Sequence, residues 1–71
     1  SELSKRFGEK IRSARAAKGI SQDKYSSKGQ IDRSYIGRID RGEVNITIDK
    51  LYLLAAALEC DPKDLLPSIE N

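Results

Sequence analysis

ISQDKYSSKGQIDRSYIGRIDRG, residues 20–42, holds two short helical patterns on either side of a Lys28-Gly29-Gln30 turn. Ser21 and Asp32 stand where the patterns begin. Their side-chain oxygens can accept the unpaired amide hydrogens of a first helical turn. The second pattern opens Asp32-Arg33-Ser34-Tyr35 and closes Arg38-Ile39-Asp40-Arg41-Gly42. Ile36 and Ile39, three apart, point inward, while cations and hydrogen-bonding groups lead the helix. One packed face and one polar, basic face suit a helix offered to a nucleic acid. The stretch therefore predicts a helix-turn-helix, with its recognition helix over about residues 32–41.

Upstream, residues 1–18 predict a first helix. Leu3, Phe7, Ile11 and Ala14 recur at helical spacing and form one apolar stripe. Gly19 follows as a residue able to turn left-handed and stop the helix. Lys5, Arg6, Lys10, Arg12, Arg15 and Lys18 fill much of the remaining surface, either as solvated charge or as phosphate contacts. Ile20 precedes the Ser21 cap as a hydrophobic staple. Asp23 complements the dipole of the second helix. Tyr25 is its main inward residue, with a hydroxyl that needs a partner. Ser26 falls where a close helix crossing demands a small side chain.

Downstream, Gly42 stops the recognition helix, residues 43–46 form a loop, and Thr47 caps a helix over 48–59. Leu51, Leu54, Ala55 and Leu58 make its core stripe. Tyr52, Leu53, Ala56 and Ala57 are apolar as well, so the helix is greasier than one small domain can bury. A second subunit accounts for the excess, with a fifth helix as the alternative cover. Asp61, Pro62 and Asp64 have the chemistry of a helix start. Leu65 and Leu66 are expected inward, and Pro67 ends the element ahead of the tail 68–71. The expected fold is all-α: a compact five-helix unit spanning 1–71, with its core in about 7–67 and no effector domain. A homodimer interface is expected at Tyr52, Leu53, Ala56, Ala57, Leu66 and Ile69.

The net charge of +2 conceals an uneven distribution. Eleven Lys or Arg stand against four acids between Lys5 and Arg41, whereas two Lys face six acids from Gly42 onward. Such polarity fits a molecule with one end on phosphates. One Cys and no His exclude an internal disulfide framework and an ordinary zinc site. Cys60 reads as a packing residue, and a reducing cytoplasm is the expected compartment. No apolar run is long enough to span a bilayer, and SELSKRF lacks a signal peptide's apolar stretch. Without His, without a glycine-rich phosphate loop and without a base beside Cys60, an enzyme lacks its parts. No cofactor, metal or small-molecule ligand is expected.

Binding double-stranded DNA needs less. Arg33, at the first position of the recognition helix, can pair bidentately with guanine O6 and N7. Ser34 can donate or accept, and Arg38, about one and a half turns on, can reach a second base or a phosphate. Gln22 can hold a phosphate at the start of the preceding helix. Tyr35 offers a hydroxyl to the backbone and Arg41 a clamp. For Arg38 and Arg41 the alternative is a salt bridge with Asp40 or Glu43.

With these residues in view, the chain resembles the Cro/lambda-repressor, or Xre-like, helix-turn-helix family. Ile11-Arg12, Ala14-Arg15 and Lys18-Gly19-Ile20-Ser21-Gln22 carry the likeness, followed by Ser34-Tyr35-Ile36 and Arg38-Ile39-Asp40-Arg41-Gly42. Ile48-Leu51-Leu54-Ala55-Leu58 and Asp61-Pro62-Asp64-Leu65-Leu66 extend it over about residues 7–67. The resemblance implies a five-helix domain that binds operator DNA, usually as a homodimer. It places a phosphate-binding glutamine at Gln22 and base readers at Arg33, Ser34 and Arg38. Residues 32–37 with Asn45-Ile46-Thr47-Ile48 look like restriction–modification controller proteins. Three departures stand out. The turn glycine is one residue early, at Gly29 instead of Gln30. Tyr25 and Ser26 replace the usual leucine and alanine, and Glu43-Val44 stands where controllers often carry basic residues. The rival readings are an antitoxin-like regulator that also binds a toxin, and a protein-interaction module using helices 4 and 5.

Overall fold

Four α-helices and a short 3-10 turn follow one another along the chain: α1 Glu2–Lys18, α2 Gln22–Gly29, α3 Arg33–Asp40, α4 Ile48–Leu58 and the turn Pro62–Leu65. This computed structural model describes residues 1–69, and no strand occurs among them. The last two residues of the expected tail lie outside the described residues. No helix among the described residues is long and apolar enough to cross a membrane.

Local chemistry sets the helix boundaries. Ser21 accepts from the Lys24 amide at 3.1 Å, Asp32 from the Tyr35 amide at 3.2 Å, and Thr47 from the Lys50 amide at 3.1 Å. Each closes one of the orphan donors of a helix start. Gly19 ends α1 in the left-handed region, at φ 65°. Gly42 follows α3 at φ 73°, and a Cβ there would lie 2.7 Å from the Lys5 Cα, so it is confined by conformation and by contact.

The core gathers Phe7, Ile11, Tyr25, Ile31, Ile36, Ile39, Leu51, Leu54 and Leu58, closed by Leu65. α1 packs on α3 and the 3-10 turn, α2 on α3 and α4, and α4 also on the turn. Tyr25 is fully buried, and its hydroxyl donates to the Leu54 carbonyl at 2.8 Å, the partner its burial requires. Burial pushes the phenol's pKa far above its usual range. Gly8 marks where α1 crosses the end of α3: a Cβ there would stand 2.5 Å from the Ile39 carbonyl oxygen.

Three expectations need correction. The fifth element is a 3-10 turn of four residues rather than a helix. Pro62 starts it well, but Leu66 precedes Pro67, and a residue before proline is pushed to extended backbone; Leu66 sits at φ −86°, ψ 129°. Leu65 is buried while Leu66 is half exposed, so only one of the pair packs inward. Leu3 is also largely exposed, leaving the stripe of α1 buried only at Phe7 and Ile11, with Ala14 partly covered.

The turn between α2 and α3 places a residue other than glycine in the left-handed region. Gln30 adopts a left-handed backbone, φ 52° and ψ 46°, which costs about 1 kcal/mol relative to glycine. Gly29 is instead the last residue of α2. A Cβ on it would lie 2.8 Å from Ile31 Cδ1 and 3.0 Å from Ala57 Cβ. The glycine answers the close approach of α2 to α4, and the left-handed position falls one residue later.

Candidate nucleic-acid interface

α3 buries Ile36 and Ile39 and leaves Arg33, Ser34 and Arg38 in solvent. Asp32, its cap, organises the leading turn. Beyond the Tyr35 amide, its Oδ2 accepts the Ser34 hydroxyl hydrogen. That hydrogen bond, followed by the backbone amide, holds the Asp32 carboxyl below its ordinary range. Ser34 thus spends its hydrogen internally and turns lone pairs outward. In a major groove it is an acceptor, matched to cytosine N4 or adenine N6.

Arg33 is joined to Asp23 in the first turn of α2, with both side chains largely exposed. Arg38 is exposed on the same helix. Arg41 pairs with Glu43, Nε to Oε2 at 2.9 Å, the alternative weighed for it from sequence. That contact, first as a hydrogen bond and then by charge, holds the Glu43 carboxyl low, and Arg38 adds to it from farther off. The Tyr35 ring is half buried under the Lys50 ammonium, 5.1 Å from its centroid.

Gln22 is tied inward at one end. Its Nε2 donates to Asp40 Oδ2 at 2.8 Å, and the same oxygen accepts from Arg15 Nη2 at 2.5 Å. Arg12 donates to the Asp40 carbonyl. Asp40 therefore joins α1, α2 and the end of α3 through one buried carboxylate. An amide nitrogen carries two hydrogens, so one hydrogen of Gln22 Nε2 is not committed to Asp40, at the N-terminus of α2.

Sequence patterning does not reveal this cluster: Arg15 reads as solvated charge or a phosphate contact, and Asp40 as a partner for Arg38 or Arg41. One signal was present, since Arg15 continues the Leu3-Phe7-Ile11 spacing by another four residues and so falls on the inward stripe. Within the expected dimer surface, Tyr52, Leu53, Ala56, Leu66 and Ile69 are exposed. Ala57 is buried in the chain's own core, because α2 passes directly over it at Gly29. Ile48 and Leu3 add exposed apolar surface beside the others.

Comparisons agree with this geometry. The helix-turn-helix family HTH_3 matches residues 11–65. The control protein C.BamHI of Bacillus amyloliquefaciens is 39% identical over 61 residues, covering 84% of this chain and 75% of that protein. Among solved structures, the restriction-modification controller protein C.AhdI from Aeromonas hydrophila matches with TM-score 0.88 at 35% identity, over 93% of this chain and 100% of that one. The controller protein C.Esp1396I, solved as a tetramer in complex with its natural 35-base-pair operator, matches with TM-score 0.84 at 32% identity, over 92% of this chain and 86% of that one. With capped helices α2 and α3 inside the matched region and the same fold in its relatives, this chain belongs to the helix-turn-helix family, a family of transcriptional regulators and not of enzymes.

Proposed function

We propose that this protein binds double-stranded operator DNA sequence-specifically, in the manner of the restriction–modification controllers it resembles, and acts as a homodimer in a reducing cytoplasm. The observation that carries the reading is α3 itself. Its apolar residues are buried while Arg33 and Ser34 stand exposed at its N-terminus, the end that reaches base edges when a recognition helix enters the major groove. Arg33 presents donors to a guanine, Ser34 presents an acceptor to an exocyclic amine, and Arg38 reaches a second base or the backbone. Gln22, oriented by Asp40, donates its remaining hydrogen to a phosphate. Tyr35 and Arg41 serve the backbone, Arg41 by exchanging Glu43 for a phosphate.

The dimer is proposed to form through Tyr52, Leu53, Ala56, Leu66 and Ile69, with Ile48 and Leu3 beside them. Apart from the small Ala56, these are large apolar side chains left in water on one small molecule. Two recognition helices would then stand about 34 Å apart, one helical turn of DNA. The single domain spanning 1–71 would couple regulation to protein concentration through dimerisation and binding.

Selection of bound duplexes from a randomised pool, followed by a salt titration of affinity, tests the proposal. The expected result is a pair of related half-sites about 10 base pairs apart, centre to centre, with affinity falling steeply as salt rises. Enrichment of a lone half-site would remove the dimer. Affinity indifferent to salt would remove DNA as the partner.

A further inference from the structure

An arginine side chain is long and rotatable, so whatever holds it before DNA arrives bears on what it reads. Arg33 leads α3 with a side chain 63% exposed, and its Nε donates to Oδ1 of Asp23, which is 76% exposed. A pair so open to water adds little to folding. Asp23 is itself anchored in the first turn of α2, where the helix dipole favours a carboxylate. The pair's consequence is geometric. A guanidinium carries five N–H groups in a rigid fork. With Nε engaged, the Nη1–Nη2 end is the edge left to form two parallel hydrogen bonds.

We propose that Asp23 is a specificity-determining residue: it positions Arg33 for end-on recognition of guanine, and it penalises complexes in which Arg33 abandons it for a phosphate. The inference rests on the DNA-reading function proposed above. In the matched complex Arg33 serves both partners, keeping Asp23 neutralised while its outer edge meets O6 and N7. Docking also excludes water from the pair and strengthens it. In a mismatched complex no guanine rewards that orientation, and the arginine's alternative partner is the DNA backbone. Turning there strands the Asp23 carboxylate, unpaired, against a polyanion. The acid thus weakens non-specific binding more than it weakens the specific complex.

The test compares two affinities for each variant: for the duplex enriched by wild-type protein from a randomised pool, and for that duplex with the guanine base pair read by Arg33 replaced. Because both are measured on one preparation, their ratio is insensitive to the folded fraction. Asp23→Asn is expected to lower the ratio about tenfold, within the discrimination that one base pair carries, mainly by tightening the mismatched complex. Asp23→Glu keeps the charge and should hold the ratio within about twofold. In an Arg33→Ala background, Asp23→Asn should leave the ratio within about twofold of that background. Equal tightening of both complexes by Asp23→Asn, or the same loss of ratio with Arg33 absent, would overturn the role. So would a fall for Asp23→Glu as large as for Asp23→Asn. Wild-type protein that enriches no duplex overturns the parent reading instead, which keeps the two failures apart.

Discussion

Arg15–Asp40 and Arg33–Asp23 join the same two kinds of side chain, yet one pair is 9% and 6% exposed and the other 63% and 76%. The buried pair lies where three helices meet, and Gln22 and Arg12 add hydrogen bonds to Asp40. Even so, Arg15 Nε and Asp40 Oδ1 find no hydrogen-bond partner among the described residues. Such a pair holds helices in register more than it adds net stability, because desolvation offsets much of its attraction. The exposed pair keeps its water and its freedom to exchange partners. Burial, not chemistry, separates a brace from an exchangeable pair, whose arginine is proposed above as a reader.

The largest expected effect breaks the brace. Asp40→Ala leaves Arg15 charged and buried without its counter-ion and should cost about 3–5 kcal/mol, measured by denaturant unfolding. Replacing both, as Arg15→Met with Asp40→Leu, should cost less than the single change. A single change that costs no more than the exposed pair would erase the distinction. Arg33→Ala tests the other side. Folding stability should move by about 0.5 kcal/mol or less, while affinity for the selected operator drops by about 1–3 kcal/mol and one operator position relaxes. Equal weakening on every sequence would reassign Arg33 to the backbone.

Gln22 bridges the two regions and sharpens their boundary. Gln22→Ala should cost about 1 kcal/mol of stability and weaken matched and mismatched DNA alike. A selective loss would make it a base reader. The turn offers the reverse sign: Gln30→Gly relieves the left-handed backbone and should stabilise by up to about 1 kcal/mol. A loss would mean that the Gln30 side chain contributes more than its strain costs.

The smallest effect is electrostatic. Asp32, Glu43 and Glu59 have carboxyls held low in the folded protein by Ser34, Arg41 and Lys28 respectively. A lowered folded value means the contribution is present above the ordinary value, near 3.8 for Asp32, and is lost as pH falls through the folded one. The thermal midpoint should therefore decline between about pH 5 and pH 2, and more shallowly in Asp32→Asn. An unchanged profile in that variant would remove Asp32 from the acid response.

Much of the site was legible because its determinants are local. Ser21, Asp32 and Thr47 each cap an amide three residues on, and Gly19 and Gly42 end helices where a left-handed residue is needed. Arg33, Ser34 and Arg38 lie on α3 because helical spacing puts Ile36 and Ile39 inside. The sequence by itself thus determined the order and capping of the first four helices and the exposed face of α3, but not the fifth element, which is a 3-10 turn. Tertiary structure decided the rest. Only the fold brings Arg15 to Asp40, 25 residues away, and Asp23 to Arg33. It makes Gly8 obligatory beneath the Ile39 carbonyl, and it covers Ala57 with α2 while leaving Leu66 in water. The division follows range: capping and periodicity act within a turn or two of chain, whereas burial and charge pairing depend on which distant segment arrives to complete them.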